Sequence, residues 1–166
     1  MSIFNDEMNG KAIDIIARYP EKRSAVMPLL WLVQEEHGYI SNEAVAEVAD
    51  LIDETTAHVE MITSFYEMYH RHPVGKRIVR VCTNISCALR GADEIASHLK
   101  QKLGVDWKET TPDGEFTLEE CECIAACCGA PAILLGNQLV ENMTIAKADE
   151  IFVNSQPRES NRGSAS

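Results

Sequence analysis

The stretch "CECIAACCGAP", Cys121 to Pro131, places four of the chain's six cysteines within eight positions. The other two, Cys82 and Cys87, lie upstream in "VCTNISC", residues 81–87. Each group comes after a run with strand character: "RIVRVC" (77–82) is β-branched and ends on Cys82, and "FTLEECE" (116–122) leads straight into Cys123. Loops at strand ends let a rigid sheet present side chains convergently. Two such loops, each supplying two thiolates, meet the need of a four-cysteine site.

Outward from the cysteines, the second half reads as a compact α/β layout. "GADEIASHLKQKLG" (91–104) is a helix stopped by Gly104, and "TTPDGEFTLEECEC" (110–123) is a turn at Asp113–Gly114 feeding a second strand. "PAILLGNQLVE" (131–141) gives two short strands about Gly136–Asn137, a hairpin signal, and "TIAKADEIFVN" (144–154) a last helix capped by Thr144. The tail, residues 155–166, is small and polar, and disorder is expected there.

Residues 1–73 read as helix after helix, four amphipathic segments that make a small bundle. "KAIDIIARYP" (11–20) sets Ile13, Ile16 and Ala17 on one stripe and stops at Pro20. "SAVMPLLWLVQEEHG" (24–38) sets Val26, Leu29, Leu30 and Val33 at helical spacing, with Ser24 as its expected cap, Pro28 in the first turn and Gly38 as the stop. "SNEAVAEVADLID" (41–53) offers Ser41 or Asn42 as a cap, with Glu43 in the first turn. "TAHVEMITSFYEMYHRHP" (56–73) reads as one helix running to Pro73. Its aromatic run Phe65, Tyr66, Met68 and Tyr69 reads as packing, or as a means of docking the bundle on the second half of the chain.

Fifteen basic against twenty-six acidic residues leave a net charge of −11. Nucleic-acid and anionic-membrane surfaces need clustered Lys and Arg, so neither partner is expected. No apolar run approaches the ~18 residues that span a bilayer, so direct membrane insertion is not expected. The opening "MSIFNDEMNGK" lacks a basic region leading into an apolar core, which makes a secretory leader unexpected. A cytoplasmic setting keeps thiols reduced, and there six cysteines suggest metal rather than disulfides.

The Cys-x4-Cys spacing of Cys82 and Cys87 is wide for a zinc knuckle but matches the first pair of plant-type ferredoxins, where a longer loop wraps a binuclear cluster. The intervening Thr83, Asn84 and Ser86 add hydroxyl and amide donors for cluster sulfurs. Spacing thus favours a 2Fe–2S cluster over zinc. It leaves open which two of Cys121, Cys123, Cys127 and Cys128 complete the set: strand alternation turns Cys121 and Cys123 the same way, and of the adjacent Cys127 and Cys128 one faces a given centre. No Gly-x-Gly-x-x-Gly or phosphate loop is present, so no nucleotide site is expected on this chain. His37, His58, His70, His72 and His98 are remote in sequence from the cysteines, against a Rieske arrangement, and read as surface residues. Two other classes compete with an electron-transfer subunit: a structural zinc interaction module, and a free-standing ferredoxin or thiol oxidoreductase, though Cys-x-x-Cys is absent.

Five segments together resemble a known family: "YPEKRSAVMPLLWLVQEEHGYIS" (19–41), "HVEMITSFYEMYHRHPVGK" (58–76), "VCTNISCALRGADEI" (81–95), "TTPDGEFTL" (110–118) and "ECIAACCGAP" (122–131). They are similar to the E subunit (NuoE) of the bacterial NADH-quinone oxidoreductase, respiratory complex I, and to the small subunits of NAD-linked hydrogenases and formate dehydrogenases. The resemblance implies an α+β fold: a helical bundle over 1–73, then a thioredoxin-like 2Fe–2S ferredoxin domain over 74–154. The family pattern in the second loop, Glu-Cys-Leu-Gly-x-Cys-x-x-Ala-Pro, falls on Glu122 to Pro131. It implies Cys82, Cys87, Cys123 and Cys127 as the ligands of one 2Fe–2S cluster, with Cys121 and Cys128 as bystanders. Ala125 stands where the family usually has glycine; a left-handed backbone there would strain the alanine by about 1 kcal/mol, and a shift of the loop geometry would bring Cys128 into play as an alternative to Cys127.

The same resemblance implies a one-electron transfer subunit without catalysis of its own. Its partner would be the flavoprotein subunit that carries FMN and oxidises NADH, together with a larger iron–sulfur subunit, in a complex peripheral to the inner membrane. An acidic protein stabilises an added electron poorly, so a potential in the lower half of the roughly −700 to +450 mV iron–sulfur range is expected.

Overall fold

Helical periodicity up to Pro73, and strands alternating with helices after it, go with two units that divide between Pro73 and Val74. The computed structural model describes residues 3–153, so the expectation for the tail lies outside the described residues. Among these no helix is long and apolar enough to cross a membrane.

The first unit holds α1 (Asp6–Ile16), α2 (Val26–His37), α3 (Asn42–Leu51) and α4 (Thr56–Phe65). Three N-termini are capped by side chains that accept an otherwise orphaned amide: Asn5 from Met8 at 2.9 Å, Ser41 from Ala44 and Thr55 from His58, both at 3.2 Å. The core is the stripe Val26, Leu29, Leu30 and Val33 of α2 packed with Met8, Ala12, Val45, Val48 and Val59.

Three expectations are corrected by the bundle. The buried stripe of α1 is Met8 and Ala12 with Ile15 and Ile16 half-buried, whereas Ile13 is 64% exposed and Ala17 lies at the exposed helix end. Phe4 and Met8, upstream of "KAIDIIARYP", set the helical phase. Ser24 does not cap α2: a 3-10 turn over Lys22–Ala25 runs directly into the helix, and Ala25 takes the cap position without a side-chain bond. Pro28 is the third residue of α2, where its missing N–H costs nothing.

The third correction concerns α4, which stops at Phe65 rather than at Pro73. The chain from Tyr66 onward is claimed by side chains of other segments. Gln34 bridges the Met68 carbonyl at 2.8 Å and the His70 amide at 2.7 Å. Arg71 donates to the Ile40 carbonyl at 2.6 Å and to Glu60 at 2.8 Å. The aromatic run therefore divides: Tyr69 enters the core and its hydroxyl donates to the Met27 carbonyl at 3.0 Å, while Phe65 is 76% exposed.

The second unit holds β1 (Arg77–Cys82), α5 (Ile85–Ala88), α6 (Ala92–Leu103), β2 (Glu109–Thr110), β3 (Phe116–Cys121), β4 (Ile133–Leu135), β5 (Gln138–Val140) and α7 (Ile145–Ile151). The sheet order is β2-β3-β1-β4-β5, with β1 and β3 parallel and the other pairs antiparallel. Strand alternation sends Val79, Val81 and Leu118 into a core with Ile95, Leu99 and Leu103 of α6 and Ala148 of α7. On alternate positions Arg80 and Glu119 face each other in register and bond at 2.9 Å. Gly104 ends α6 in a left-handed conformation, φ 67°, and Thr144 caps α7 by accepting the Lys147 amide at 3.1 Å. Two elements carry no clear sequence signal: β2, two residues long, which turns the Asp113–Gly114 turn into a hairpin, and the single turn α5 that begins inside the loop between Cys82 and Cys87.

Candidate metal centre

Because β1 and β3 run parallel, both deliver their cysteine loops to the same end of the sheet. Cys82 and Cys121 are register partners at the last rung. The Thr83 amide closes the ladder on the Cys121 carbonyl at 3.0 Å, and the Cys82 amide bonds the Ala132 carbonyl at 3.2 Å. Two loops, one after β1 and the other joining β3 to β4, are thereby fixed to one another by backbone bonds.

Within this frame Cys82 and Cys87 are buried, 3% and 2% exposed, and pack with Ala92 and Ala130. Cys123, Cys127 and Cys128 are exposed, and Cys121 is half-buried. The Cys82 thiol hydrogen-bonds those of both Cys87 and Cys123, and Cys127 lies close enough to Cys87 to act on it through its charge. The structure thus brings Cys82, Cys87 and Cys123 into contact, with Cys127 near enough to reach Cys87 by charge. The Cys121 thiol turns instead to the Val81 carbonyl at 3.6 Å. Alternation does not pair Cys121 with Cys123 as expected, because β3 ends at Cys121 and Cys123 is already in the loop.

Several amides aim at the sulfurs. Those of Asn84 and Ile124 bond Cys82, that of Ala132 bonds Cys87, and that of Ala125 bonds Cys123 at 3.2 Å. Burial opposes ionisation of Cys82, but the Asn84 and Ile124 amides and the Cys87 and Cys123 thiols outweigh it, and its thiol titrates below the usual range. Burial pushes the Cys87 thiol up, as do its bond to Cys82 and the charges of Cys82 and Cys127. Of the polar side chains between the first two cysteines, Thr83 serves the Cys121 carbonyl at 3.2 Å rather than a sulfur.

Four thiols, with backbone amides aimed at three of their sulfurs, are a donor set that suits a binuclear cluster. A tetrahedral zinc site needs four donors about one point, whereas a 2Fe–2S cluster takes its four thiolates over two irons. Amide donors to thiolate sulfur are the outer contacts such a cluster uses. The histidines take no part: His98 pairs with Asp149 at 3.0 Å, and the other four lie in the first unit.

The loop backbone answers the question that Ala125 raises. It holds φ 62°, the left-handed region where an alanine is strained by about 1 kcal/mol. That turn points the Ala125 amide back at Cys123, and a 3-10 turn over Cys127–Gly129 comes next. The Ala130–Pro131 peptide is cis. The amides of Ile124 and Ala132 and the side chain of Arg90 are site features that sequence reasoning missed; backbone donors carry no residue signature.

The profile of the thioredoxin-like [2Fe-2S] ferredoxin family matches residues 12–156. An E subunit of NADH-quinone oxidoreductase from Rhizobium meliloti, the one numbered 2, is 38% identical over 136 residues, covering 82% of this chain and 81% of that protein. The E subunit of Rickettsia bellii is 38% identical over 152 residues, covering 90% and 91%. That of Mycobacterium bovis is 45% identical over 140 residues, but this chain spans only 56% of its length. Among solved structures, an NAD+-reducing [NiFe]-hydrogenase in the H2-reduced state superposes with a TM-score of 0.66 at 17% identity, over 75% of this chain and 21% of that one, a likeness of fold alone. On its profile match and its identity to relatives it covers almost end to end, the chain belongs to the thioredoxin-like [2Fe-2S] ferredoxin family that includes the E subunits of NADH-quinone oxidoreductase.

Proposed function

We propose that this chain is the one-electron transfer subunit of an NADH-quinone oxidoreductase, holding one 2Fe–2S cluster on Cys82, Cys87, Cys123 and Cys127. The observation that carries the reading is the grouping of these four thiols at the shared end of β1 and β3, each of the first three served by a backbone amide. When bound, the cluster supplies a reversible one-electron couple.

The residues divide the work. Cys82 and Cys87 are buried and anchor the inner side, while Cys123 and Cys127 are exposed and close the outer side. The amides of Asn84, Ile124, Ala125 and Ala132 offset thiolate charge without adding a titrating group. No nucleophile or acid–base pair is required of the chain, and catalysis belongs to its partner. That partner is a flavoprotein subunit carrying FMN and oxidising NADH, flanked by a larger iron–sulfur subunit, at the cytoplasmic face of the inner membrane. The names of the relatives, E subunits of NADH-quinone oxidoreductase, support membership of such a complex.

The test is a visible and EPR spectrum of the anaerobically purified chain before and after dithionite. Visible absorbance that falls on reduction, with a spin-half signal appearing, is the expected result. A colourless protein with stoichiometric zinc would replace this reading with the structural zinc module.

A further inference from the structure

Arg90 holds none of the thiol or amide roles of the centre, yet it joins two of the cysteine loops. It lies two residues after α5, and its amide bonds the Cys87 carbonyl at 3.0 Å. Its guanidinium Nη1 donates to the Ala130 carbonyl at 3.4 Å, forty residues further along the chain. Ala130 is three residues after Cys127 and two before Ala132. Ala132 ends the same loop, just before β4: its carbonyl accepts the Cys82 amide at 3.2 Å and its amide serves the Cys87 sulfur. Among the described residues no carboxylate pairs with Arg90, in contrast to Arg71, Arg77 and Arg80, each of which faces a glutamate within 4 Å. Arg90 thus keeps an unneutralised positive charge three residues from Cys87.

We propose that Arg90 is a positioning residue for the bound cluster, its unneutralised guanidinium favouring the one-electron-reduced state while its bond to Ala130 ties the Cys82–Cys87 loop to the loop that carries Cys123 and Cys127. The inference rests on the 2Fe–2S reading of the four cysteines. Reduction adds one electron, and so one negative charge, to a site already bearing four thiolates. A fixed positive charge nearby lowers the energy of that state more than that of the oxidised one. Because Arg90 is exposed, its charge is screened by salt. The fork of the guanidinium serves the second role, since a carbonyl reached at 3.4 Å needs its length and orientation.

The experiment is a mediated redox titration of the cluster-loaded full chain with dithionite as the one-electron reductant, followed by visible absorbance and EPR, at low and high salt. Arg90→Gln shifts the midpoint potential down, and the gap from the parent narrows as salt is raised. Arg90→Lys, which keeps the charge, holds the midpoint near that of the parent. Should Arg90→Gln fail to retain its cluster, Leu89→Lys adds a cation one residue away at a position 81% exposed, and the midpoint rises. A midpoint that ignores Arg90→Gln, an equal fall in Arg90→Gln and Arg90→Lys, or no rise in Leu89→Lys overturns the charge role. A parent that holds zinc and no iron overturns the cluster reading and this inference together; a coloured parent whose midpoint ignores Arg90 overturns this inference alone.

Discussion

The amide of Ala125 donates to the sulfur of Cys123 at 3.2 Å, and it does so from a left-handed backbone, φ 62°. Glycine adopts that conformation freely, whereas alanine adopts it against steric repulsion from its Cβ. Ala125→Gly should therefore stabilise the loaded protein by about 1 kcal/mol while keeping the amide bond, which needs no side chain. Chemical denaturation of the two proteins, followed at the cluster's visible band, checks this. A lower denaturation midpoint in the glycine variant would show that the loop is not strained at this residue.

The six thiols divide by what their sulfurs face. Cys82 hydrogen-bonds Cys87 and Cys123, and Cys127 acts on Cys87 by charge, whereas Cys121 turns to the Val81 carbonyl. Replacing Cys82 or Cys123 by serine should cost most of the bound iron and sulfide and bleach the visible spectrum. Cys121→Ser should keep both, since a hydroxyl can also donate to the Val81 carbonyl. Iron and sulfide analysis after anaerobic reconstitution decides the matter, and loss of the cluster in Cys121→Ser alone would reassign the second loop.

Which parts of this fold are legible in the sequence depends on the range of the forces involved. Strand β1, helix α6 and the hairpin about Gly136–Asn137 are fixed by local pattern: β-branched alternation, an apolar stripe with a glycine stop, and turn chemistry. The end of α4 is not local. Gln34 and Arg71 decide it by claiming the backbone beyond Phe65 or by anchoring it to distant carbonyls, so a periodicity that runs on to Pro73 overstates the helix. The thiols of the first loop are legible from spacing, but choosing among the four of the second requires the family pattern. Only the folded loop shows why the choice works: β3 ends at Cys121, and the left-handed turn at Ala125 comes just after Cys123.

Gly75 marks a place where two backbones nearly touch. Its amide donates to the Thr117 hydroxyl at 2.6 Å, and a Cβ built on it would stand 2.7 Å from the Phe116 carbonyl carbon. Backbone atoms cannot swing aside as a flexible side chain can, so Gly75→Ala must push the start of β1 away from β3. We expect a loss of about 1–3 kcal/mol in stability, with the cysteine loops at the opposite end of these strands still able to load a cluster. A thermal melt beside an iron assay separates the two effects; an unchanged melting temperature would mean the two strands part at no cost.

Tyr69 gives the first unit an alkaline limit. Burial, with the neighbouring Tyr66 adding to it, pushes its phenol from 10 up to about 12, and its hydroxyl donates to the Met27 carbonyl at 3.0 Å. A folded pKa above the unfolded one means that the native state holds this proton longer. Its contribution to stability is thus complete below pH 10 and is lost as pH rises through about 12. Tyr69→Phe deletes the hydrogen bond, which should cost about 1 kcal/mol at pH 8. It also deletes the titration, so the parent's advantage should shrink above pH 10 and turn into a deficit, the total swing being on the order of 2 kcal/mol. Urea midpoints of parent and variant at pH 8, 10 and 11 measure the gap directly. A gap that stays constant over that range would mean the phenol ionises in the folded bundle as readily as in the unfolded chain.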